Sequence, residues 1–285
     1  MPVASKNRSP AARRGFLDIS MSYTDAEIEP ALDAFEHCIS RYTVGLAFES
    51  SGPHLDTASA TAVLWRGRKL LVTARHVFPE GSESAGVTLL LPSSRPLSRG
   101  KKVEVFPPLE PNCIVQLRSV ALVRCDSPEA LDLAYFEVDD TIWPNSDLQF
   151  YDLPSIAHAP PSGAGCILSG FPADVSDLIA EREWIAKLIN RRSRICTPDD
   201  SDRFLKGYDS SSHFLMRFRK ADIGVRAEGF SGGGVWFLLK QPPNSNIWRP
   251  IPGLAGIQSM WFPKKEITLS IRVDHLVQFL DNSVR

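Results

Sequence analysis

The stretch GFSGGGVWFLLKQPP, Gly229–Pro243, sets one serine among four glycines and then enters an apolar run. Its reading turns on the residues after Ser231. Glycines admit φ > 0 and close approach of other backbone, so this loop suits a tight turn whose N–H groups point at one spot. A helix after the serine would place it at a strand-to-helix corner. VWFLLK has the length and composition of a strand instead, and Pro242-Pro243 come directly after the next glutamine. Ser231 therefore leads into β structure.

Outward from that loop, the same texture covers most of the chain. Short β-rich runs are expected at 42–50, 60–65, 69–74, 87–91, 102–106, 113–123 and 131–138. After the Pro/Gly/Ser-rich bridge LPSIAHAPPSGAG they resume at 165–171, 203–207, 213–219, 234–239, 251–259 and 267–273. Two sets of about six short strands suggest a mainly β fold of two six-stranded antiparallel barrels. Helices are expected at three places. Residues 24–41 place Ile28, Leu32, Phe35 and Ile39 at helical spacing, with Pro30 in the first turn. Residues 274–285 form a C-terminal helix with Leu276, Val277 and Leu280 on one face. The segment DVSDLIAEREWIAKLINRR, about 174–192, reads as a helical insertion in the second barrel, because Leu178, Ile179, Trp184, Ile185, Leu188 and Ile189 can share one broad helical face. The expected organisation is a basic disordered tail over 1–23, the helix over 24–41, a barrel over 42–149, a second over 150–273, and the closing helix.

Bulk composition narrows the functional classes. The formal charge is −1, with Lys and Arg scattered, so no electrostatic nucleic-acid footprint is expected. No apolar run has the length of a membrane span. The five cysteines contain no C-x-x-C pair, which points to buried thiols in a reducing, cytoplasmic setting and away from zinc or redox chemistry. The N-terminal stretch lacks the apolar core of a secretory signal, and Met21 is an alternative start.

A serine hydroxyl needs a base to take its proton, and the base works best when a carboxylate orients it. His76 lies in KLLVTARHVF, directly after an apolar run, and Asp132 opens the run LDLAYFEV. VTARHV resembles the motif around the histidine of trypsin-like (chymotrypsin-fold) serine peptidases. LDLAYFEV is similar to the motif of their aspartate, GFSGG to that of their nucleophile, and GLAGIQSM, Gly253–Met260, to the strand lining their primary specificity pocket. The order agrees, over roughly residues 42–282. The resemblance implies Ser231 as nucleophile, His76 as general base and acid, and Asp132 as the group that fixes the imidazole. It further implies an oxyanion hole of the Gly229 and Ser231 amides, and Ser259 as support for the aspartate. By offset, Val225, Arg226, Met260 and Trp261 would shape the pocket. The implied function is a serine endopeptidase acting on protein or peptide substrates without metal or organic cofactor, open to a regulatory protein partner, and of the small bacterial, cytoplasmic kind.

GFSGG also satisfies G-x-S-x-G, the nucleophile elbow of α/β-hydrolases. That pattern needs a helix after the serine, then an acid and a distant histidine, but VWFLLK reads as a strand and the only later histidine, His275, directly follows Asp274 in the C-terminal helix. The chain also departs from the secreted trypsins. Phe230 stands where they keep the aspartate that pairs with a freshly cut N-terminus, so activation by N-terminal insertion is not expected. Val77 replaces the cysteine that follows their histidine. A trypsin-like module that binds a partner without catalysis is the alternative.

Overall fold

The structure is a computed structural model that describes residues 25–48, 56–78, 87–90, 104–105, 131–138, 148–175, 177–180, 183–185, 187–241 and 249–284. It begins with helix α1 (Asp25–Ser40). Strands follow as β1 (Thr43–Phe48), β2 (Asp56–Trp65), β3 (Arg68–Thr73), β4 (Val87–Leu90), β5 (Glu104–Val105), β6 (Ala134–Glu137) and β7 (Tyr151–Asp152). The second half contributes β8 (Gly165–Gly170), β9 (Asp177–Ala180), β10 (Glu183–Ile185), β11 (Lys187–Arg194) and β12 (His213–Arg217). A single helical turn α2 (Lys220–Ile223) leads to β13 (Gly234–Leu238), β14 (Pro252–Phe262), β15 (Ile267–Arg272) and helix α3 (Val273–Ser283).

Two large sheets result beside the two-stranded β9–β10 ribbon, all antiparallel apart from one short pairing. The first runs β4-β1-β2-β3-β6, with β7 added parallel to β2. The second runs β12-β15-β14-β13-β8-β11-β5. This is the mainly β, two-barrel architecture expected, with helices at both ends. Side chains alternate as the pleat requires. Val44, Leu46, Ala60, Leu71, Leu89 and Phe136 fill the first sheet's core, and Leu168, Phe214, Met216, Phe218, Val235 and Ala255 the second's. A third cluster lies between them. It joins Trp65, Leu70 and Leu133 of the first half to Ile167, Trp236 and Leu254 of the second, and takes in Phe35 and Ile39 of α1 and Leu276 and Leu280 of α3. Tyr42 stacks on Trp236 at 5.3 Å and Tyr151 meets the same indole edge-on at 5.1 Å.

Three expectations need correction. The 174–192 segment is no helical insertion. Beyond a 3-10 turn at Ala173–Val175 it forms the β9–β10 hairpin and then β11. Its paired apolar residues fit a helical face, but β11 gains a ladder with β8 running from Ile189↔Gly170 to Arg194↔Gly165. Tertiary pairing of this kind outweighs local helix propensity. The run at 203–207 is not a strand either. Asp199, Ser201 and Asp202 bond one another's backbone and side chains to close a 3-10 turn, and Lys265 bridges to Asp202 at 2.7 Å. The strand expected at 102–106 is present as β5 but pairs with β11 of the second sheet, not with the first. The strand expected at 113–123 lies outside the described residues, as does the tail at 1–23.

Candidate active site

The reactive groups come from both sheets. Strand β3 ends at Thr73, and Ala74 passes the chain into a 3-10 turn, Arg75–Val77, that lifts His76 to the sheet's rim. Asp132 precedes β6, which pairs with β3 from Thr73↔Ala134 onward, so the two motifs are brought side by side by strand register. Arg75 N–H donates to the Asp132 carbonyl at 3.2 Å. The carboxylate accepts from the His76 backbone N–H at 2.8 Å and from Nδ1 at 2.6 Å. That bond sets the tautomer: with the proton on Nδ1, Nε2 is left as an acceptor. Nε2 lies 3.2 Å from Ser231 Oγ.

A further residue closes the arrangement. Ser259 Oγ donates to Asp132 Oδ2 at 2.6 Å, and its carbonyl lies 3.3 Å from Ser231 Oγ. The β14–β15 register shifts between Gln258 and Met260, which makes Ser259 the extra residue of a bulge. Bulges re-aim a side chain out of the alternation, and here the hydroxyl is turned toward Asp132. The charges respond to these contacts. The hydrogen bond to Asp132, helped by its charge and opposed by burial, raises the His76 pKa above 6.5. Burial works against ionisation of Asp132, but the bonds from His76 and Ser259 outweigh it and hold the carboxyl below its usual range.

The loop bearing Ser231 is held by hydroxyls that no sequence motif marks. Ser59 N–H donates to the Ser231 carbonyl at 2.9 Å, and Ser59 Oγ donates to the Gly229 carbonyl at 2.7 Å while accepting from Phe171 N–H at 2.9 Å. Thr61 Oγ1 donates to the Gly232 carbonyl at 3.0 Å, and Thr73 Oγ1 to the Ser59 carbonyl at 2.7 Å. Their one signal in the sequence is the alternation TASATAV in β2, where small residues and hydroxyls share a strand that is buried on both faces.

Two glycines are obligatory. Gly229 has φ +90°, and a Cβ there would fall 2.3 Å from the Phe171 carbonyl oxygen. Gly232 has φ +91°, with the Ser59 carbonyl oxygen 2.0 Å from a Cβ. The Glu228 carbonyl accepts from Ala173 N–H at 2.9 Å. In a trans peptide the following N–H points the other way, so the Gly229 amide is directed away from Ala173. Amides of Phe230, Gly232 and Gly233 all donate to carbonyls, whereas those of Gly229 and Ser231 find no acceptor among the described residues. Phe230 is fully buried, edge-on to Phe218 at 5.5 Å.

Of the pocket residues expected by offset, Val225 and Trp261 are brought together. Both join the cluster of Phe218 and Phe230, with Trp261 edge-on to Phe218 at 6.2 Å. Met260 is not with them. After the bulge it faces the other side of β14, against Leu215, Ile267 and Leu269. Arg226 also turns away. Its guanidinium binds Asp174 at 2.6 and 2.9 Å, and the backbone N–H of Arg226 bonds the same carboxylate. On the inner face of β14–β15, Gln258 stands opposite Ser270 and Trp261 opposite Thr268. The buried side-chain polar atoms of all four lack hydrogen-bond partners among the described residues.

No family model matches the chain, and no curated protein matches it either. Solved structures do. Neuropsin, a serine protease expressed in the limbic system of mouse brain, superposes with a TM-score of 0.51 at 12% identity, covering 86% of this chain and 95% of that one. The scabies mite inactivated protease paralogue S-I1 is similar with a TM-score of 0.48 at 16% identity, covering 86% and 94%. The likeness to neuropsin is one of fold: this chain has the chymotrypsin-type, trypsin-like fold.

Proposed function

We propose that the protein is a serine endopeptidase. The observation that carries the reading is the unbroken chain Ser259–Asp132–His76–Ser231, with separations of 2.6, 2.6 and 3.2 Å. Ser231 Oγ attacks the acyl carbon as His76 Nε2 takes its proton. Asp132, ionised, stabilises the imidazolium without accepting the proton. The oxyanion that forms is received by the Gly229 and Ser231 amides. Collapse breaks the C–N bond, His76 hands its proton to the departing amine, and water repeats the sequence on the acyl-enzyme. Because Phe230 carries no carboxylate, N-terminal insertion is not the means of activation.

The inner face of β14–β15 supports a reading of the accepted side chain. With Arg226 engaged by Asp174, the polar side-chain atoms of that face are uncharged, buried and unpaired among the described residues. A site with unpaired hydrogen-bonding groups discriminates strongly against side chains that cannot satisfy them. The reading is a preference for glutamine or asparagine before the cleaved bond. Free thiols at Cys38, Cys166 and Cys196 support a reducing, cytoplasmic address.

A fluorophosphonate probe tests the chemistry without a known substrate. Wild type should be labelled, and Ser231→Ala and His76→Ala should not. Folded wild type that resists the probe would overturn the reading in favour of a non-catalytic binding module.

A further inference from the structure

Away from the candidate active site, the second sheet has a groove of about 700 Å3 where the end of β11 meets β12. Arg191, Arg192, Arg194, Arg217 and Arg219 all line it. The strands touch through the antiparallel bridge Ile195↔Met216, and Cys196 N–H donates to the Leu215 carbonyl at 2.7 Å in the same register. Continued one residue, that register sets Arg194 opposite Arg217, the last residue of β12, with Arg192 and Arg219 next to them along each chain. Ile195, Met216 and Phe218 face the core, so by alternation these four arginines line the outer face together.

Like charges directly opposite on a sheet are destabilising, and their neutralisation here is uneven. Arg192 is satisfied by α1: it binds Glu29 at 2.7 Å, Asp33 at 2.9 Å and also Glu36. Arg219 lies 3.3 Å from Glu266. Arg194 and Arg217 have no acidic partner among the described residues. The groove thus holds Arg194 and Arg217 at opposed positions with no acid to balance them among the described residues, beside Arg192, whose guanidinium already shows the preferred ligand, a carboxylate. The groove is also linked to the nucleophile loop: Phe218, between Arg217 and Arg219, packs against Phe230, the neighbour of Ser231.

We propose that this groove is a second substrate-binding site, which takes an acidic stretch of a polypeptide substrate through Arg194 and Arg217; as a substrate site it rests on the peptidase reading. Guanidinium–carboxylate pairs of this kind combine charge with a two-point geometry, and exposed ones weaken as salt rises.

Binding is measured first on Ser231→Ala, so that it stands apart from catalysis. A fluorescein-labelled octaglutamate peptide should bind, with a Kd that rises with salt. It should rise at least ten-fold in Arg194→Glu/Arg217→Glu, and by a smaller factor in Arg194→Gln/Arg217→Gln should the double reversal fail to fold. Arg217→Gln alone should weaken the peptide while raising Tm, because it relieves the opposed charges. A structural pair would lose Tm instead, which overturns the proposal. An unchanged Kd in both double variants overturns it too, and so does tighter binding of an oligothymidylate of equal charge. In the active protein, a cleavable peptide carrying the acidic tract should show a KM at least several-fold below its neutral counterpart, and free octaglutamate should inhibit. Activation by the free peptide would make the groove regulatory and overturn the substrate assignment.

Discussion

The single proton on His76 governs the site. Only neutral imidazole can act as base, and its pKa is raised above 6.5 by the bond to Asp132. The expected kcat/KM therefore climbs with pH through a midpoint above 6.5. In Asp132→Asn that midpoint should fall, because the carboxylate that favours the charged ring is gone. The plateau should drop by about 10^4-fold, the size of this change in a well-studied serine protease. A pH–rate profile of the two proteins measures both effects, and a midpoint that stays put would deny Asp132 its role. The three site residues are legible because each sits in a short motif with its own apolar run. Ser59 is not, since one hydroxyl in an alternating strand carries no local signature and gains meaning only from Gly229 and Phe171 across the sheet boundary.

At the scale of elements, the Ser231 loop rests on apolar packing where the resemblance to secreted trypsins would place an ion pair. Phe230→Ala should cost about 3–5 kcal/mol, the range for emptying a buried aromatic site. Phe230→Asp should do worse, since a carboxylate there would be buried among Phe218, Val225 and the other apolar residues of that cluster. Thermal denaturation ranks the two, and an aspartate variant more stable than the alanine would refute this account of the loop. Strand β14 supports a second expectation. Substrate libraries should favour glutamine or asparagine before the cleaved bond, and Gln258→Leu should move the preference toward apolar side chains. A wild-type preference for lysine or arginine would contradict it. The helix-like periodicity of 174–192 belongs to this scale as well. Adjacent apolar pairs satisfy helix and strand alike, and the deciding fact, the ladder from β11 to β8, lies outside the segment.

For the whole molecule, the cluster that joins Trp65 and Leu133 to Trp236 and Leu254, capped by α1 and α3, predicts that both halves unfold together. Calorimetry should show one transition, and Trp236→Ala should lower it as a unit; two resolved transitions would mean that the sheets are independent. The two-sheet plan is readable because strand-sized runs recur along the chain, while the crossing of β5 to the second sheet is not, as no local pattern records which edge a two-residue strand will join. The hydroxyl of Ser59 has a consequence beyond stability. It reaches from one sheet into the loop that shapes the other's nucleophile, so neither half could keep a reactive serine by itself. On the proposed peptidase reading the molecule is a coincidence gate, armed only while its two halves are in register, and a nick or a wedge at that seam should silence it without touching His76, Asp132 or Ser231.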